Sequence, residues 1–205
     1  ILLNTIVNAG DLTPKQRNEL LGEMTAEVER LVLRENYLQT RAISFMATQS
    51  ARSVDLHSRY ITELERMGKL DRALEFLPEE KALMERKMAG KGLTSPAIAV
   101  LFCYSKIVLK EAILASDVPE DPYLKQLLIH SFPQPLQENF SKEMPKHPLK
   151  REIITTRLSN IIMNEMGFNF VYRLHDETGA PISAIVRAYI IARSVLNMDV
   201  ILAAN

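Results

Sequence analysis

Three groups of residues in this sequence have the types or spacing that chemistry requires. Gly90 and Gly92, in AGKGLTS, form a G-x-G pair ahead of a helix, an arrangement that offers backbone amides to a phosphate. The third glycine of a dinucleotide fingerprint is missing and no strand precedes the pair. A helix stop at Gly90 and a cap at Thr94 explain the composition as a loop. Cys103 is the single cysteine and lies in the apolar run AVLFCY, which predicts a small buried thiol rather than a nucleophile. No internal disulfide is possible, and a reducing cytoplasmic setting fits. His57, His130, His147 and His175 are scattered, and none has a second ligand at the spacing of a zinc site. No catalytic, cofactor-binding or metal-binding residue emerges.

One cluster runs against its local electrostatics. Lys146, His147, Lys150 and Arg151 crowd the start of a helix, where positive charge is mildly unfavourable. The economical explanation is a solvated basic turn paired with Glu143 and Glu152. The alternative is a contact with an anion or with an acidic surface on another domain.

The elements that position these residues read as helices. Only 7 glycines occur, and the 10 prolines fall mostly in punctuation such as DVPEDP, FPQP and EMPKHP. Ile1 to Val7 reads as the tail of a longer helix. Thr13 and Pro14 start a short helix through Leu20 and Leu21, and Thr25 caps the next. That next helix places Val28, Leu31, Val32, Leu38, Ala42, Phe45 and Met46 near a 3.6-residue period. A further helix carries Leu56, Tyr60, Ile61, Leu64 and Met67, the two forming long antiparallel neighbours. Pro96 opens the most apolar helix, near 95–115, which belongs at the centre. A short helix spans Tyr123 to His130, and another places Ile154, Leu158, Ile161 and Ile162 on one side. Two more bury Phe168, Val171 and Leu174, then Ile182, Ile185, Val186, Tyr189 and Leu196. No alternating strands and no fixed repeat are present. The expected fold is all-α, an irregular multi-helix bundle.

Composition sets the remaining bounds. The 205 residues, 47% hydrophobic and 24% charged, suffice for a sizeable core. With 25 Lys+Arg against 25 Asp+Glu there is no net field for nucleic acid or an anionic membrane. A helix-turn-helix in TGAPISAIVRAYIIARSV has only Arg187 and Arg193 to meet phosphate. Nothing at the start resembles a signal peptide, and the longest apolar run, Ala97 to Tyr104, is too short for a membrane span.

ILLNTIVNAGDLTPKQRNELL, LVLRENYLQT, LDRALEFLP, GLTSPAIAVLFCYSKI and HPLKREIITT, in that order, resemble the C-terminal part of the large bacterial NAD-specific glutamate dehydrogenases. The resemblance spans nearly the whole chain. It implies that 1–10 is the tail of a helix leaving an upstream dinucleotide-binding domain, and that 11–205 is a helical C-terminal domain, divisible into 11–90 and 91–205. The family's catalytic lysines, substrate-carboxylate contacts and nucleotide-binding glycines fall on no residue here, and the sequence departs from the family wording at Ser95 and Ala97. The resemblance implies a full-length enzyme that uses NAD to convert glutamate to 2-oxoglutarate and ammonia in amino acid catabolism. This region would be its non-catalytic segment, without a cofactor of its own, with packing, assembly or regulatory work. Its partners would be the upstream catalytic domain and other copies in a homo-oligomer. The rival expectation is a self-standing helical protein-interaction module.

Overall fold

The computed structural model describes residues 1–203, and among them there are eleven α-helices and no strand. The all-α expectation is met. α1 (Leu2–Asn8) leads into α2 (Pro14–Gln49), which starts at a capping box. The Gln16 amide donates to the Thr13 hydroxyl at 3.2 Å, and the Thr13 amide donates to Gln16 Oε1 at 2.9 Å. The helix does not stop at Leu21 as the sequence suggested. It runs unbroken for 36 residues, because the Thr25 hydroxyl donates back to the Leu21 carbonyl at 3.0 Å and so stays inside the helix instead of capping a new one.

α3 (Val54–Arg66) and α4 (Glu80–Met88) follow, then α5 (Ser95–Leu114). α2 and α3 are not long antiparallel neighbours. A 3-10 turn at Ser50–Ser53 separates them; α2 packs chiefly on α5 and α8 (Lys150–Met166), and α3 on α4. α5 is central, as expected, with Ala97, Ile98, Leu101, Phe102, Ser105, Leu109 and Ile113 buried on one broad arc. Cys103 lies nearly opposite that arc and is exposed, so the expected buried thiol is corrected: an apolar sequence neighbourhood does not bury the outer face of a helix. The remaining helices are α6 (Lys125–Ile129), α7 (Gln134–Phe140), α9 (Phe170–Thr178), α10 (Ile182–Val195) and α11 (Met198–Ala203). Leu196, expected in the core, is exposed just beyond α10.

Two apolar clusters hold the chain. The larger joins α2, α3, α5, α8, α9 and α10. The smaller sets Leu2, Leu3, Ile6 and Met24 against Leu136 and Met144, and so ties α1 and the start of α2 to the segment around α7. Each fully buried Leu or Ile contributes roughly 1.5–3 kcal/mol.

The G-x-G pair is a packing turn. The Leu93 amide donates to Ser50 Oγ at 2.7 Å, and a Cβ on Gly92 would stand 2.3 Å from the Ser50 carbonyl carbon. Glycine is required there by backbone against backbone.

His57 lies fully buried in α3 with neither ring nitrogen hydrogen-bonded, and its ring centroid is 5.2 Å from that of Phe168. Burial pushes its pKa down from 6.5 to about 4. Between those values the unfolded chain binds the extra proton, so this contribution to stability is complete above pH 6.5 and is lost as pH falls toward 4. The loss reaches roughly 3 kcal/mol. Urea midpoints at pH 7 and pH 4.5 should therefore differ less for His57→Phe than for the wild type. Equal differences in the two proteins would contradict this.

Candidate interdomain seam

α2 and α8 meet along a polar seam set into an apolar interface. On α8, Arg157, Asn160 and Asn164 recur at intervals of three and four residues and so share one face. Glu35 of α2 faces that stripe. Its carboxylate accepts from Arg157 Nη1 at 2.8 Å, Asn160 Nδ2 at 3.2 Å and Asn164 Nδ2 at 3.5 Å. The Lys106 ammonium on α5 is half-buried; burial lowers its pKa, and the Glu35 charge pulls the other way. Arg157 Nε, Asn160 Oδ1 and Asn164 Oδ1 are buried without a protein partner.

A second ion cluster locks the end of α8 to α10. Arg193 donates to Glu165 through Nη2 at 2.9 Å and Nε at 3.1 Å, and the Tyr189 hydroxyl donates to the same carboxylate. Burial, and then that carboxylate, raise the Tyr189 pKa. A cleft of about 270 Å³ lies between the two ends, lined by Arg41, Phe45 and Met46 of α2 and by Asn164, Glu165 and Gly167. Gly167 ends α8 with φ 80, a conformation that side chains resist. A Cβ there would also stand 2.3 Å from Met46 Sδ. The seam ties α8 to α2 through Glu35 and to α10 through Glu165. Among the described residues no group of three metal-ligating side chains comes together, and no helix is long and apolar enough to cross a membrane.

The basic turn is divided. Lys150 Nζ and Arg151 Nη1 meet on Glu120 at 3.1 and 2.7 Å, in place of the expected Glu152. Their hydrogen bonds hold the Glu120 carboxyl below its usual pKa. Arg151 Nη2 also donates to the Leu114 and Ser116 carbonyls at 2.7 and 2.9 Å, capping the C-terminal end of α5. Lys146 pairs with Glu143 at 2.9 Å, as expected. His147 is buried, its Nδ1 accepts from the Leu149 amide at 3.1 Å, its ring lies 5.8 Å from Phe132, and burial lowers its pKa. Lys150 is thus a partly exposed cation in an ordinary ion pair. Lys150→Ala should shift the urea-derived stability of this chain by no more than about 0.5 kcal/mol. A larger loss would show that the turn carries structural load.

Sequence reasoning missed Glu35 and its stripe. The signal was present: three polar residues on one face of a helix whose other residues include Ile154, Leu158, Ile161 and Ile162, facing a carboxylate among Leu31, Leu38 and Ala42.

Helices α5 and α8 pack along α2 as a helical clasp, and α10 packs in turn on α5. The chain belongs to the C-terminal region of the bacterial NAD-specific glutamate dehydrogenases. Residues 90–204 match the family described as Glutamate dehydrogenase, C-terminal, and residues 1–46 match the one described as Bacterial NAD-glutamate dehydrogenase, catalytic domain. The chain is 47% identical over 193 residues to the NAD-specific glutamate dehydrogenase of Halomonas elongata, covering 94% of this chain. It is 47% identical over 198 residues to that of Pseudomonas aeruginosa, covering 97%, and 37% identical over 191 residues to that of Mycobacterium tuberculosis, covering 93%. It spans 12% of the length of each of these curated relatives. The clasp therefore joins two matched regions: α2 lies almost wholly within the catalytic-domain match, and α5, α8 and α10 lie within the C-terminal match.

Proposed function

We propose that this chain is the non-catalytic C-terminal segment of an NAD-dependent glutamate dehydrogenase that oxidises glutamate to 2-oxoglutarate and ammonia in the cytoplasm. Its work is to hold α2, and through α2 the catalytic domain, in a fixed position. One observation carries the reading: a helix matching the catalytic domain is gripped along one face by helices matching the C-terminal family, with Glu35 clamped by Arg157 and Asn160. The domain division 1–10 and 11–205 enters this reading with α2 as the shared element: it opens the helical domain and lies within the catalytic-domain match, which extends to residue 46. Homo-oligomerisation of the full enzyme belongs to it as well.

Cofactor chemistry lies elsewhere in the enzyme under this reading; the G-x-G pair lacks the third glycine of the fingerprint, and Gly92 packs against the Ser50 backbone. Calorimetric titration of NAD into the 205-residue chain should give no saturable heat, with or without glutamate. Saturable binding at micromolar affinity would overturn the non-catalytic assignment. The basic turn gives a second readout. If Lys150→Ala leaves this chain's stability intact but lowers glutamate oxidation by the full enzyme, then Lys146, His147, Lys150 and Arg151 also form an interdomain contact.

A further inference from the structure

α2 is covered on one side only. Met24, Ala42 and Met46 are buried against the rest of the chain, while Leu21, Val28, Val32, Leu33, Tyr37 and Phe45 are exposed, the last two at 64% each. At helical spacing Leu21, Val28 and Val32 lie at one edge of the covered face, Phe45 lies at the other edge, and Leu33 and Tyr37 lie opposite it, over about 36 Å of helix at ~1.5 Å per residue. A helix that is apolar on its covered face and again on its open faces is built to be enclosed.

All six exposed residues lie inside the 1–46 stretch that matches the catalytic domain, yet that stretch contains only α1 and most of α2, with no strand. The chain is 12% of the length of its relatives, so most of their length lies outside these residues.

We propose that the remainder of the catalytic domain closes over α2, seating on Leu33 and Tyr37 of its open face and reaching Leu21, Val28 and Val32 at one edge and Phe45 at the other. α2 is then sandwiched between that domain and the C-terminal clasp. This inference rests on the function proposed above, because it needs the full enzyme to contain that domain.

The test places a photo-crosslinking benzoylphenylalanine at Tyr37 of the full-length enzyme and identifies the joined peptides by mass spectrometry. The expected product links α2 to a peptide of the catalytic domain outside the 205 residues. A link to α2 of a second subunit, or no crosslink, overturns the proposal. A parallel variant, Val32→Glu with Leu33→Glu, guards against a folding artefact. In the 205-residue chain it should leave the urea midpoint unchanged, and in the full enzyme it should lower glutamate oxidation at least tenfold. Self-association of the 205-residue chain that this variant abolishes would assign the surface to a second copy and overturn the proposal. The two readings fail separately. An active glutamate dehydrogenase without the crosslink removes only the docking surface, and a crosslinked protein with no glutamate activity removes only the proposed function.

Discussion

Gly92→Ala should unfold this chain far below the wild-type urea midpoint, with a loss of about 4 kcal/mol or more. The added Cβ would stand 2.3 Å from the Ser50 carbonyl carbon and 2.4 Å from the Ala51 nitrogen. Both are backbone atoms, so no rotamer change relieves the contact, and the turn must open. Opening breaks the 2.7 Å hydrogen bond from the Leu93 amide to Ser50 Oγ, which is buried, and leaves both groups unsatisfied. It also loosens Leu93, a core residue at the entrance to α5. Gly90→Ala is the control: a Cβ there meets nothing within 4 Å, and its φ of +67 costs only local strain. A Gly92→Ala loss no larger than that of Gly90→Ala would show that the turn has room to adjust.

Leu101→Ala should destabilise by roughly 2–5 kcal/mol, through lost burial and the cavity left behind. Leu101 has no solvent exposure and sits mid-way along α5, with Ile98, Phe102 and Ser105 buried around it. α8, α2 and α10 all close on this helix, so relaxation to fill the void would have to move several elements together. Urea unfolding measures the effect, with an unchanged slope as the check that the unfolded state is unaltered. A loss under about 1 kcal/mol would mean that α5 is not the centre of the core.

The helices were legible because their signals are local. Thr13–Pro14 and the apolar run after Pro96 each act within a few residues, as do Gly167 and Gly179, at which the structure ends α8 and α9. The unbroken length of α2 was not legible, because Thr25 serves equally as a cap or as a mid-helix residue bonded back one turn. The open faces of α2 were misread for a different reason. Periodicity shows that Val28, Val32 and Phe45 are apolar, but not whether their partner lies within the same 205 residues. The basic turn was legible as charge and only half legible as pairing: Lys146 takes its neighbour Glu143, whereas Lys150 and Arg151 reach Glu120, 30 and 31 residues away. The Glu35 seam was half legible: the polar stripe on α8 shows in the sequence, but its pairing with a carboxylate more than 120 residues away does not.

On the proposed function the helices of 90–204 hold the catalytic domain's helix α2 and carry none of the chemistry. The most direct measurement compares the full-length enzyme with a version truncated before Gly90, determining NAD affinity and NAD-dependent glutamate oxidation in both. Retained NAD affinity with kcat lowered at least tenfold is the expected result, since the nucleotide site persists while α2 loses its support. Unchanged kcat in the truncated enzyme would contradict the claim, and so would NAD affinity lost along with the removed helices.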